Sequence, residues 1–163
     1  MTDEKKIQVL FICMGNICRS PTAQGVFRDL VEKEGLSEFI ITDSAGTIDY
    51  HTGGKADRRA RETANKRGVD LSDLRARQVT VGDFEQFDYL LAMDHSNYED
   101  LSALCPPGAE ERLHLFMDFA PHLTEQEVPD PYYGGAAGFD RVFDLVEEAS
   151  RGLLDHIRQQ NLS

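Results

Sequence analysis

The stretch Val9-Leu10-Phe11-Ile12-Cys13-Met14-Gly15-Asn16-Ile17-Cys18-Arg19-Ser20-Pro21 decides how this chain is read. Residues 7–12 form a short apolar run between a polar tail and a Gly/Asn loop, the pattern of a buried parallel strand. Gly15 lets the backbone approach a ligand closely, and Asn16 is one of the few non-glycine residues that tolerates a left-handed conformation. Pro21 suits the first position of a helix. Strand, tight loop and helix start in this order turn several backbone N–H groups into one hollow at the positive end of a helix dipole. Such a hollow binds a phosphate-sized anion. Its lining is expected from Met14, Gly15, Asn16, Ile17, Cys18 and Arg19, with Cys13 and Arg19 flanking the anion.

Outward from this loop, Ala23, Val26, Phe27, Leu30 and Val31 follow the spacing of one helix face, and Gly35 ends that helix. Phe39 to Thr42 read as a second strand, closed by Asp43-Ser44-Ala45-Gly46, which completes a strand–helix–strand crossover. The loop from Thr47 to Lys55 is long enough to wall a site. Residues 57–67 make a polar helix running from an acidic start to a basic end, and its arginines read as a solvated face. A short element near Val79-Thr80-Val81 leads to a third strand over 87–93, and a helix is expected over 95–104. Arg112 to Phe116 offer a fourth strand. A loop from Met117 to Ala136 follows, and a long helix carries Phe139, Val142, Phe143, Val146, Ala149, Leu153 and Ile157. The alternation predicts a single α/β domain over residues 1–163, with 1–6 as a flexible tail. With the first strand central, the expected architecture is a three-layer sandwich with a four-stranded parallel sheet in the order 2-1-3-4. The loop after strand one then lies at the topological switch point, where such sheets place their ligand.

Composition narrows the class. A length of 163 residues with 40% hydrophobic and 28% charged residues describes one ordinary globular core. Seventeen basic against 29 acidic residues give a net charge of −12, which argues against nucleic acid or an anionic membrane surface as the partner. The polar start does not read as a secretory signal, and no window approaches a membrane span. Three cysteines, Cys13, Cys18 and Cys105, are too few for a disulfide framework, so a reducing cytoplasm is the expected setting. The five histidines lack ligand spacing, so no metal and no other cofactor is expected; they read as surface residues. A monomer or weak dimer is expected.

The residues at the loop support attack as well as binding. A thiol becomes a nucleophile when its thiolate is stabilised, and Cys13 is placed among loop N–H groups, at a helix N-terminus, near Arg19. Ser20 can add a hydroxyl hydrogen bond. Arg19 offers a planar fork that matches two phosphate oxygens. Attack on phosphorus also needs a proton donor for the leaving oxygen. Asp130, in Val128-Pro129-Asp130-Pro131-Tyr132-Tyr133, stands between two prolines that restrict its backbone, on a loop that can fold over the site. It would protonate the leaving phenolate and then activate water.

At this point the sequence resembles the low-molecular-weight protein tyrosine phosphatases. The likeness lies in residues 9–21, in Asp43-Ser44-Ala45-Gly46, in Phe87-Asp88-Tyr89-Leu90-Leu91-Ala92-Met93-Asp94 and in Asp130-Pro131-Tyr132-Tyr133. It implies a metal-free phosphocysteine mechanism acting on phosphotyrosine proteins or aryl phosphates, releasing inorganic phosphate. It implies Cys13 as nucleophile, Arg19 for phosphate and Asp130 as general acid, with Asn16 and Ser44 bracing the loop. Ile17, Tyr50, Tyr132 and Tyr133 would shape the substrate cleft, and Cys18 would form a reversible disulfide with Cys13. One departure stands out. Leu74 precedes Ala76-Arg77 where many members carry a histidine that braces the loop. Two rival readings remain open: an arsenate reductase of related fold, which relays oxidation through further cysteines, and a phosphoprotein-binding module without turnover.

Overall fold

A computed structural model describes residues 6–132 and 135–162 of the chain. Strand β1 (Ile7–Cys13) is buried over its last five residues, because it pairs on both edges and is covered on both faces. Its alternation divides the core. Val9, Phe11 and Cys13 point to one side of the sheet, Leu10 and Ile12 to the other. The first side is closed by helices α1 (Arg19–Lys33) and α5 (Ala136–Asn161), with α2 (Arg58–Lys66) beside them. The second is closed by α3 (Asp83–Gln86) and α4 (His95–Leu104). Between them the sheet runs β2 (Ile40–Gly46), β1, β3 (Tyr89–Ala92), β4 (Leu113–Leu115), all parallel. This is the three-layer, 2-1-3-4 arrangement anticipated from the alternation of apolar runs.

Phe11 is the hub of the first face. Its ring meets Phe27 of α1 edge-on at 5.6 Å and Phe116 at 5.2 Å, so strand, helix and the turn after β4 share one aromatic contact. Gly152 lets α5 pass close to that turn, since a Cβ there would overlap the Phe119 carbonyl.

Several boundaries differ from expectation. Asp43 to Gly46 do not close β2 but continue it, because each residue pairs with β1, from Leu10↔Asp43 to Cys13↔Gly46. Pairing overrides the turn propensity of those residues. Helix α1 begins at Arg19, which brings Arg19 and Ser20 into its first turn. The loop after β4 opens with a 3₁₀ turn over Phe116–Phe119, and α5 begins at Ala136. None of the described helices is long and apolar enough to cross a membrane.

Candidate active site

The end of β1, the start of α1, the loop after β2 and the segment around Asp130 surround a cleft of ≈ 300 Å³. It is lined by Cys13, Met14, Gly15, Ile17, Cys18 and Arg19, by Ile48, Tyr50 and His51, and by Asp130 and Tyr132. The loop from Cys13 to Arg19 is fastened by its carbonyls. Cys13 O accepts from Thr47 N at 2.9 Å, Met14 O from Ile48 N at 3.1 Å and Ile17 O from Asp57 N at 2.8 Å. Because the N–H and C=O of a planar peptide point in opposite directions, outward carbonyls leave inward amides. Gly46 is needed where it stands: a Cβ would lie 2.7 Å from Met14 O.

Asn16 lies beneath the loop rather than on its surface. It is buried, with φ 58°, in the left-handed region that Asn tolerates better than most residues. Its side-chain amide donates to Ser20 Oγ at 2.8 Å and to Ser44 Oγ at 3.0 Å, and its Oδ1 accepts from Arg77 N at 3.0 Å. Ser44 Oγ in turn donates to Gln24 Oε1 at 2.7 Å. The polarity of this chain has a consequence. Ser20 Oγ, which accepts from Asn16, lies 3.0 Å from Cys13 Sγ and 3.5 Å from Ala45 O, so its hydroxyl is within reach to donate to a negatively charged sulfur. Asn16 N donates to the same sulfur at 3.2 Å. Two hydrogen bonds therefore converge on a buried sulfur at the floor of the cleft.

Arg19 is buried and fixed. Its Nη1 lies 2.6 Å from Asp94 Oδ2 and 3.1 Å from Val128 O, while Nη2 is 4.0 Å from Asp130 Oδ2. Burial alone would lower its affinity for a proton, but Cys13, the hydrogen-bonded Asp94 and Asp130 outweigh it and hold the guanidinium above its ordinary value. Asp94 uses both oxygens: Oδ1 caps α4 by accepting from Asn97 N at 2.7 Å, and Oδ2 orients Arg19. Asp130 stands above, its Oδ1 accepting from Tyr132 N at 3.0 Å and its side chain 42% exposed. The thiol of Cys18 is pushed up to about 12, first by burial and then by the charges of Asp57, Cys13 and Asp130.

The residues singled out from sequence, Cys13, Met14, Gly15, Ile17, Cys18, Arg19, Tyr50, Asp130 and Tyr132, thus meet around one cleft, with Asn16, Ser20 and Ser44 behind it. Tyr133 lies outside the described residues. Leu74, where a bracing histidine was sought, is buried in the apolar core. The Asn16 carbonyl oxygen is held instead by the backbone of Arg77, whose side chain is gripped by Asp43 and Asp83.

Four side chains escaped the sequence reading. Asp94 carried a signal, an N-capping residue at the end of a central strand. His51 was grouped with surface histidines, yet it forms a wall of the cleft beside Gly15. His114 is likewise not a surface ring, being packed against Tyr89 and Phe119. Arg59, assigned to a solvated face, lies over the rings of Tyr132 and Phe139.

Comparison with known proteins agrees with this geometry. The family model described as low molecular weight phosphotyrosine protein phosphatase matches residues 8–162. The low molecular weight phosphotyrosine protein phosphatase of Schizosaccharomyces pombe is 42% identical over 94% of this chain and 98% of its own. The human protein of the same name is 36% identical over 95% of this chain and 98% of its own. Among solved structures, a protein tyrosine phosphatase from Entamoeba histolytica with Hepes in its active site superposes with a TM-score of 0.92 at 41% identity. It covers 94% of this chain and 98% of that one. YfkJ from Bacillus subtilis gives 0.92 at 34% identity, over 98% and 99%. With the matched model spanning nearly its whole length, the chain belongs to the low molecular weight phosphotyrosine protein phosphatase family.

Proposed function

We propose that the protein hydrolyses phosphotyrosine and related aryl phosphates through a phosphocysteine intermediate on Cys13. The observation that carries this reading is the convergence of Asn16 N–H and Ser20 Oγ on the Cys13 sulfur, with Arg19 and Asp130 on the same cleft. The substrate's phosphoryl oxygens bind the loop amides and the Arg19 fork, and the aryl ring rests among Ile17, Tyr50 and Tyr132.

In the first step the Cys13 sulfur forms a bond to phosphorus as the phosphorus–aryl oxygen bond breaks. Asp130, entering as the acid, gives its proton to the departing oxygen. In the second, the Asp130 carboxylate takes a proton from water, whose oxygen attacks phosphorus. The sulfur–phosphorus bond breaks, restoring the thiolate and releasing inorganic phosphate. Each step is a group transfer between nucleophiles, with no change of oxidation state.

The cysteine placement disfavours the arsenate reductase reading. Such enzymes relay oxidation between cysteines, whereas Cys105 packs on the opposite face of the sheet from Cys13. A binding module without turnover would be expected to lack a residue suited to nucleophile or acid, whereas Cys13 and Asp130 both line this cleft. Rapid acid quench during turnover of p-nitrophenyl phosphate tests the mechanism. A phosphorylated Cys13 peptide is the expected product; turnover with no phosphoenzyme, or thiol-dependent reduction of arsenate, would refute it. Reversible pairing of Cys18 with Cys13 belongs to the same proposal and is checked by peroxide inactivation. Thiol recovery should be full in the wild type and incomplete in Cys18→Ala.

A further inference from the structure

Resting on the phosphatase reading, we propose that Arg59 is the positioning residue that holds the general-acid loop against the phosphate loop. The neighbouring Arg58 pairs with Glu62 along the exposed face of α2, as a solvated helix arginine does. Arg59, its side chain 41% exposed against 81% for Arg58, instead lies over the edge of the cleft. Asp57, the residue capping α2, donates its N–H to Ile17 O of the phosphate loop at 2.8 Å. Its carboxylate accepts Arg59 N at 2.8 Å and grips the guanidinium, Nε at 3.1 Å and Nη2 at 3.2 Å. Oriented by this pair, the guanidinium stands 5.3 Å from the Tyr132 ring centre and 4.7 Å from that of Phe139. Tyr132 N closes the path by donating to Asp130 Oδ1 at 3.0 Å. One continuous set of contacts therefore joins Ile17, through Asp57, Arg59 and Tyr132, to the carboxylate proposed as the acid.

The acid loop has a firm upstream anchor. Val128 donates to Met93 O at 2.8 Å and accepts from Arg19 Nη1 at 3.1 Å. Arg59 supplies the downstream one, where Tyr132 leads towards the start of α5 and Phe139. With both ends fixed, Asp130 is held over the cleft. Without Arg59 its carboxyl samples positions from which it cannot reach the leaving oxygen. The planar guanidinium matters here, since it stacks on a ring face while its edge stays paired to a carboxylate.

The test compares kcat/KM, which reports the first chemical step, for phenyl phosphate and p-nitrophenyl phosphate. Phenolate needs protonation to leave and the more acidic p-nitrophenol needs it far less. Arg59→Ala should lose about tenfold on phenyl phosphate and less than about threefold on p-nitrophenyl phosphate. Inhibition by inorganic phosphate should stay within about twofold, since the phosphate loop is untouched. In an Asp130→Asn background the same substitution should cost nothing further, because the group it positions is gone. Arg59→Lys, which keeps the charge and gives up the planar stack, should show a smaller split of the same sense. Equal losses on the two substrates, weakened phosphate inhibition, or an undiminished loss in the Asp130→Asn background would each overturn the proposal. A wild-type protein inactive on both substrates would overturn the phosphatase reading itself, and this proposal with it.

Discussion

The two loops that meet over the cleft are built to opposite standards. From Cys13 to Arg19 the phosphate loop sits on buried polar side chains. Cys13, Asn16 and Arg19 are each 3% exposed, and Asn16 alone makes four hydrogen bonds through its backbone and side chain. The proposed acid loop carries the Asp130 carboxylate 42% exposed and Tyr132 39% exposed, tied by the Val128 backbone and the Arg59 stack. The contrast follows from what each must do. Charge developing on phosphorus is stabilised best by dipoles that need no reorganisation. A proton donor, in contrast, must leave room for the aryl group to enter beneath it.

The largest expected effect breaks the rigid side chemically while sparing its frame. Cys13→Ser should abolish phenyl phosphate turnover by on the order of 10⁴-fold or more. Phosphate binding should persist, because the amides and Arg19 remain. Equilibrium binding of phosphate to the variant checks both halves. Next comes the exposed side. Asp130→Asn keeps an oxygen for the Tyr132 N–H, so the loss isolates the proton. A fall of about 10²–10⁴-fold on phenyl phosphate is expected, with a much smaller one on p-nitrophenyl phosphate. Equal rates for wild type and variant would remove Asp130 from the mechanism.

A third substitution asks whether the bracing itself is worth what the geometry suggests. Asn16→Ala removes three side-chain hydrogen bonds and forces alanine to φ 58°. At about 1 kcal/mol per net hydrogen bond and 1–2 kcal/mol for the backbone, the loss should be about 4–5 kcal/mol in urea unfolding. Asn16→Gly relieves only the backbone part, so it should recover about 1–2 kcal/mol of that loss. Identical stabilities for the two variants would show that the conformation at position 16 stores no strain.

Much of this contrast was legible in one dimension on the rigid side and little of it on the other. Cys13, Arg19 and Ser20 lie within one strand–loop–helix segment, where local spacing dictates geometry. The apolar periods of β1, α1 and α5 were equally readable, since burial on a known face leaves a repeating pattern. Asp94 lies 75 residues from the arginine it orients, and Arg77 lies 61 from the asparagine it holds. Polar residues whose partners are that distant have the same local signature as solvated ones. Arg59 and His51 were misplaced among surface groups for this reason. Asp43 to Gly46 read locally as the close of β2, because the β1 edge that pairs them leaves no mark in their own sequence.

The smallest expected effect concerns the foot of the acid loop. His114 on β4 lies 5.6 Å from Phe119, the last residue of the turn that opens the loop, and 5.8 Å from Tyr89. Burial first, and then His156, hold the His114 imidazole below its ordinary value, with Asp118 opposing them. The unfolded chain therefore binds this proton more readily than the folded one. Stability is unaffected above the unfolded value near 6.5 and declines as pH falls from there towards the folded value, by at most about 1.4 kcal/mol per pH unit. Asp57 and Asp73, held low in the fold, act in the same direction but only below their unfolded values near 4. The two windows are separable. His114→Phe keeps an aromatic ring in the stack and removes the titration, so its urea midpoint should match wild type at pH 7.5 and exceed it at pH 5.5. Parallel curves over that range would place the acid limb elsewhere. If the limb is His114, amide exchange should accelerate around Phe119 before Cys13 to Arg19 as the solution is acidified, because the His114 ring packs on Phe119 while the phosphate loop is braced by Asn16, Ser20 and Ser44.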